Sequence, residues 1–294
     1  MRTTMSTQHL NRPMPLRAPP LATPPLDAVL TPLLAPALAE ALARQPGFEA
    51  PAVRSRLLVR LAASRKAEAA MFTARQRRLA WVPLANGVAA QTLYQARAAT
   101  ALRPGEPLLA RLIRLDAGAQ LPLEALGPAA RARHREWLVL QGSVRLGAQT
   151  LSLRDYHVTP AGHADAAWSS DAGALLFLRE SDLAARAGDA PFTVRDAQAG
   201  WPDFAPGIQR RVLWQRDGQA ALLYCAQAGA QVPHHSHGHD EECLMVQGEL
   251  FLDDLLLQPG DYQLAPAGTG HHTTATDTGV VIYAHGDLDL RFTA

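Results

Sequence analysis

One block of this sequence occurs twice, and that duplication limits the possible folds more than any other feature. Phe72-Thr73-Ala74-Arg75, followed by Trp81 and by Ala85-Asn86-Gly87-Val88, returns 120 residues later as Phe192-Thr193-Val194-Arg195, Trp201 and Ala205-Pro206-Gly207-Ile208. Ala117-Gly118-Ala119-Gln120-Leu121-Pro122 returns as Ala228-Gly229-Ala230-Gln231-Val232-Pro233, and Glu136-Trp137-Leu138-Val139-Leu140-Gln141-Gly142 as Glu242-Cys243-Leu244-Met245-Val246-Gln247-Gly248. Asp155-Tyr156 and Pro160-Ala161-Gly162 match Asp261-Tyr262 and Pro266-Ala267-Gly268. Shared low complexity would not keep Trp, Tyr, Gly and Pro in register, so the chain carries a duplicated domain.

Within each copy, apolar runs of four to seven residues are punctuated by Gly, Pro and Asp, as at Leu109 to Leu115, Trp137 to Leu140, Ala221 to Cys225 and Val280 to Tyr283. Short strands with turn signals between them imply an all-β sandwich or barrel. Ahead of the first copy, Leu30, Leu33, Leu34, Leu38 and Leu42 recur at helical spacing, as do Val53, Leu57, Leu58 and Leu61. Pro51 suits the first turn of the second helix. The expected organisation is a disordered Pro-rich leader over 1–26, a short helical segment over 27–70, and two barrels over 71–182 and 192–294.

Composition excludes several classes. With 48% apolar and 19% charged residues, the chain reads as a soluble globular protein. A formal net charge of +1 without a long Lys/Arg block gives no footprint for nucleic acid. The most apolar stretch, Leu26 to Ala43, is interrupted by Asp27, Pro32, Pro36 and Glu40, which argues against a membrane span. The leader lacks an unbroken apolar core of signal-peptide length, so a cytoplasmic protein is expected. Cys225 and Cys243 are too few for a disulfide framework.

The second copy concentrates residues that carry chemistry. Gly229, His235, His237, Glu241 and Gly248 form one spaced pattern, and Gly260, Pro266, Gly268 and His271 form a second. Residues two apart on a strand share a face, so His235 and His237 project to one side. Glu241 opens the next strand, and His271 arrives from a second hairpin. Three imidazoles and a carboxylate suit one divalent metal ion: Zn or Fe first, with Mn, Ni and Cu also compatible.

These two patterns resemble the sequence motifs of the cupin superfamily. The stretch from His235 to Gly248 is similar to the version found in ChrR-type cupins, the group named for a cupin-bearing anti-sigma factor. The resemblance implies two tandem jelly-roll barrels, with metal ligands His235, His237, Glu241 and His271. It departs from the family where the second motif commonly ends in Asn, here Ala275. Glu124, Arg135 and Asp165 fall in the first copy where the ligands should be, beside a segment five residues longer, so that barrel is expected to have lost its metal. His134, His157 and His163 are read as isolated loop histidines, and His234, His239 and His272 as surface residues. Cys243, two residues past Glu241, should point into the barrel as a small buried group. Cys225 is read as core. Trp81, Trp201, Tyr156 and Tyr262 hold equivalent repeat positions and are read as structural.

Two functions fit these residues. One is a metal-dependent regulatory or sensory protein, anti-sigma-like, with a sigma factor or other regulatory protein as partner. The zinc site of that family's sigma-binding domain needs cysteines, and none precedes Cys225. The other is a dioxygenase-type enzyme for a small chelating substrate such as a β-diketone, with Glu241 as proton acceptor. A small-molecule ligand is common to both, and edge pairing of cupin barrels implies a homodimer.

Overall fold

A computed structural model of the chain describes residues 55–59, 62, 69–96 and 103–292. The Pro-rich leader and most of the expected helical segment lie outside these residues; within them, 55–59 are helical. Residues 62–294 form one compact unit, and its described part is built almost wholly of antiparallel strands.

One large sheet runs Phe72–Ala74, Tyr262–Ala265, Glu241–Gly248, Val280–Asp287, Gln219–Ala226, Ile208–Arg216 and Asp203–Ala205. Its counterpart runs Phe192–Val194, Tyr156–Thr159, His134–Leu146, Ala174–Ser181, Pro107–Leu115, Val88–Gln95 and Val82–Ala85. Shorter strands close each barrel from the opposite side. The uninterrupted apolar runs follow from burial on both faces. Ile113, Leu115, Trp137, Val139, Leu176 and Leu178 fill the first barrel, and Leu222, Met245, Leu257 and Ile282 line the second. The alternate residues, including Leu112, Leu138, Phe177, Leu223, Leu244 and Tyr283, form one core shared by the two barrels.

Strand membership crosses the repeat boundary. Phe72–Ala74, at the start of the first copy, pairs with Tyr262–Ala265 of the second. Phe192–Val194, at the start of the second copy, pairs with Tyr156–Thr159 of the first. Each exchanged strand ends on a matching ion pair: Arg75 with Asp261 at 2.8 Å and Arg195 with Asp155 at 3.0 Å. The same aspartates accept the backbone N–H of Gln76 and of Asp196. The repeated Phe-Thr-x-Arg motif is therefore a reciprocal clasp.

Between the barrels lies a buried charge cluster. Arg179 bridges the repeat-equivalent Glu136 and Glu242, at 2.9 and 2.5 Å. The repeat-equivalent Tyr156 and Tyr262 donate their hydroxyls to Glu136 and Glu242, and Tyr283 donates to Glu136 at 3.0 Å. Each of these two repeat-equivalent tyrosines thus satisfies one buried carboxylate. Trp81 and Trp201 lie under the guanidinium groups of Arg114 and Arg211, at 4.7 and 4.2 Å.

Candidate metal centre

His235 and His271 stand directly opposite one another on the antiparallel strands His235–Ser236 and Gly270–His271, so their side chains share a face. Gly270 is required for this pairing, because a Cβ there would strike the backbone carbonyl of His235. On the other side, His235 pairs with Phe292 of the C-terminal strand. His237 is fixed by two backbone bonds, its N–H to Thr269 at 3.0 Å and its carbonyl from Gly268 at 2.8 Å. Glu241 begins the long strand Glu241–Gly248, opposite Ala265.

These elements bring the four residues of the sequence pattern together. Ligand atoms of His235, His237 and Glu241 all lie within 4.8 Å of one another. The Glu241 carboxylate is 3.3 Å from His237 Nε2 and 3.7 Å from His271 Nε2. Donors sharing one ion at roughly 2.1 Å sit about 3.0–3.5 Å apart; the His237–Glu241 separation is in that range and the His271–Glu241 separation is 0.2 Å beyond it. All four side chains are buried.

The hydrogen bonding has the same implication. Both ring nitrogens of His237 and of His271 are buried without a partner. Unsatisfied buried donors and acceptors are costly, so a group that consumes the lone pairs fits here. His235 Nδ1 lies 2.9 Å from the Pro233 carbonyl and donates to it, which presents Nε2 to the cluster. Burial holds His237 below the usual histidine pKa. Burial alone would raise that of Glu241, but the imidazoles of His271, His237 and His235 outweigh it and hold the carboxyl down to about 2. A lowered His237 and an ionised Glu241 are the forms in which these two side chains bind a divalent cation.

Sequence reasoning missed Asp253. Its carboxylate lies 3.9 Å from His271 Nδ1 and is anchored by the backbone N–H groups of His272 and Thr273. The signal was a hairpin aspartate where the first copy has Gly147. His234 and His239 are half-buried, not surface residues as expected: His234 stacks on His272 at 4.4 Å, and His239 bonds Asp287 at 2.5 Å. The histidines of the first copy do not gather, but His134 and His157 are buried strand residues and not loop residues as expected. His134 turns to Glu136 in the shared core at 3.6 Å, whereas His157 bonds Thr193 and approaches Asp165.

A family model for the ChrR cupin-like domain matches residues 189–289. Residues 189–289 form a ChrR cupin-like domain. Solved structures show the same two-barrel fold over most of the described residues. A candidate glyoxylate-induced protein from Pseudomonas aeruginosa aligns at TM-score 0.56 and 12% identity, covering 76% of this chain and 91% of that one. A candidate dioxygenase from Nostoc punctiforme aligns at TM-score 0.53 and 14% identity, covering 76% and 81%. A variant of Bacillus subtilis oxalate decarboxylase aligns at TM-score 0.54 and 14% identity, covering 76% and 78%. No curated protein sequence matches the chain. Among the described residues no helix is long and apolar enough to cross a membrane.

The ChrR cupin-like domain and its degenerate copy differ most in what fills them. The cupin-like domain contains a half-open pocket of about 60 Å³ lined by His235, Glu241 and His271 and by largely apolar side chains from several strands. Cys243 is buried on the cavity wall, as its spacing from Glu241 implied, whereas Cys225 is half-buried and packs against the shared core. In the first copy the position of Cys243 is taken by Trp137, that of Thr274 by Trp168 and that of Ala284 by Leu178, and the two indoles pack at 4.6 Å. One barrel is plugged and the other is hollow. The five-residue longer segment of the first copy folds into the 3₁₀ turns Leu123–Leu126 and Ala130–Ala132, where the cupin-like domain has its His235–Ser236 strand.

Proposed function

We propose that this chain is a divalent-metal bicupin whose second barrel holds one ion with His235, His237, Glu241 and His271 and exposes it to a small molecule. The observation that carries this reading is the hollow beside the ligand cluster. A purely structural metal is closed by its protein ligands and needs no cavity. Here Glu241, His235 and His271 border space that the duplicated barrel fills with tryptophan.

That geometry supports small-molecule chemistry of the dioxygenase type. Zn or Fe is the expected ion, with Mn, Ni and Cu compatible with the donor set. A divalent ion with open positions supplies Lewis-acid polarisation of a chelated oxygen. The chain's own residues do the remainder. Glu241, once displaced from the ion, is the carboxylate placed to take a proton from a bound acid. His235, locked by Pro233, keeps one tautomer. The apolar wall excludes water. The anti-sigma-like reading places the same site in a sensor, with ligand binding reported to a sigma factor or other regulatory protein; its support is the likeness of residues 189–289 to ChrR.

Metal analysis tests the shared premise. Purified protein should carry about one divalent ion per chain, and the His235→Ala/His271→Ala double variant should carry none; full metal content in that variant refutes the site. Oxygen uptake by Fe(II)-loaded protein with a β-diketone supports the enzyme. Metal-dependent co-purification of a sigma factor, with no turnover across a substrate panel, supports the sensor instead.

A further inference from the structure

The duplicated barrel serves as an internal control for what the second barrel accommodates. Both copies place equivalent strands around equivalent interiors, yet Trp137, Trp168 and Leu178 of one correspond to Cys243, Thr274 and Ala284 of the other. These three exchanges remove two indoles and an isobutyl group, and the hollow lies where that volume is missing. A natural core of this size would be filled unless the space were used.

The size and chemistry of the hollow define its occupant. At roughly 10–15 Å³ of such volume per water-sized body, about 60 Å³ admits on the order of four to six non-hydrogen atoms. Apart from the ligand residues, the wall is nearly all apolar, with Tyr224, Leu250, Leu252 and Ile282 prominent. No arginine or lysine lines it among the described residues. A second carboxylate pushed into this space would lose its hydration without a cationic partner, which is prohibitive. A compact hydrocarbon body loses nothing by entering.

From this we infer that the ligand of the second barrel is a compact chelator with an apolar body of about four to six non-hydrogen atoms, and that Cys243, Thr274 and Ala284 set its size limit. A small dicarboxylate such as oxalate is disfavoured, despite the shared fold with oxalate decarboxylase. The inference rests on the metal-centre reading, because the chelating head faces Glu241, His235 and His271.

The test uses the full chain loaded with Co(II), whose visible spectrum reports ligand exchange. Pentane-2,4-dione, oxalate and azide are titrated against the wild type and against Ala284→Leu and Thr274→Trp, which restore side chains of the plugged copy. Wild type should bind pentane-2,4-dione at least about tenfold more tightly than oxalate. Each plugging variant should retain its Co(II) and its azide response while losing about tenfold or more in diketone affinity. Ala284→Leu adds three carbons and preserves a strand-forming, apolar residue, so it keeps the test valid if the tryptophan variant fails to fold. Oxalate binding as tight as that of the diketone, or plugging variants with unchanged diketone affinity, overturns the inference and leaves the metal centre standing. A wild-type chain that takes up no metal overturns both.

Discussion

Arg135 and Asp165 form an ion pair at 3.3 Å, and they occupy the positions that Glu241 and His271 hold in the other barrel. Both side chains are buried. The guanidinium also donates to the carbonyls of Ala130, Arg133 and His163, and Thr159 donates to Asp165. The degenerate copy thus carries a guanidinium and a carboxylate where its sister gathers the His235, His237, Glu241 and His271 cluster. The first copy holds a buried, hydrogen-bonded ionic centre at these positions.

Removing one partner should be far worse than removing both. Arg135→Met strands the Asp165 carboxylate in a buried site and should cost about 3–5 kcal/mol, whereas Arg135→Met/Asp165→Leu should cost much less. Urea unfolding midpoints of the two variants check the ordering. Equal losses would mean that the pair contributes only packing.

Acid should weaken the shared core. Burial depresses His134 from 6.5 to about 4, although the neighbouring Glu136 carboxylate opposes that shift. Between those values the unfolded chain takes up a proton that the folded chain refuses, so stability falls as pH drops from 6.5 towards 4, by roughly 3 kcal/mol in all. Glu136 adds to the trend below the ordinary carboxylate range: burial would raise its pKa, but His285 and Arg179 hold it well down. In chelator-treated protein, His134→Gln should flatten the slope of the urea midpoint between pH 6.5 and 4. An unchanged slope would remove His134 from this role.

The backbone beneath the ligands has little tolerance. Gly270→Ala places a methyl group against the His235 carbonyl, which forces apart the two strands that set His235 opposite His271. Metal affinity should fall by at least about tenfold with the rest of the fold retained, in the manner of lost support around a metal ligand. Competition with a chromophoric chelator measures it.

Asp253 should matter through His271. Asp253→Asn removes the charge 3.9 Å from His271 Nδ1 and should weaken metal binding about 10–100-fold. Because the asparagine still accepts the His272 and Thr273 N–H groups, the melting temperature of the metal-free protein should stay put. A parallel drop in that temperature would make Asp253 a turn residue only.

Much of this was legible in the sequence because duplication doubled each signal. Paired Trp, Tyr, Gly and Asp positions marked strands and turns, and two histidines at strand spacing marked a ligand face. The exchange of Phe72–Ala74 and Phe192–Val194 was not legible, since a motif at the start of a copy says nothing about which sheet receives it. The half-burial of His234 and His239 depended on contacts with His272 and Asp287, which are distant in sequence. The hollow was hidden in another way: Cys243 against Trp137 reads as drift until the two interiors are compared atom by atom.

The reciprocal clasp makes the tandem chain a dimer fused into a single polypeptide. A fragment limited to residues 189–294 would retain Phe192–Val194 with no sheet to join, and Tyr262–Ala265 with a bare edge. Two such fragments could satisfy each other by trading those strands, with Arg195 of one meeting Asp261 of the next. Joining the two copies in one chain makes a concentration-dependent partnership a permanent one.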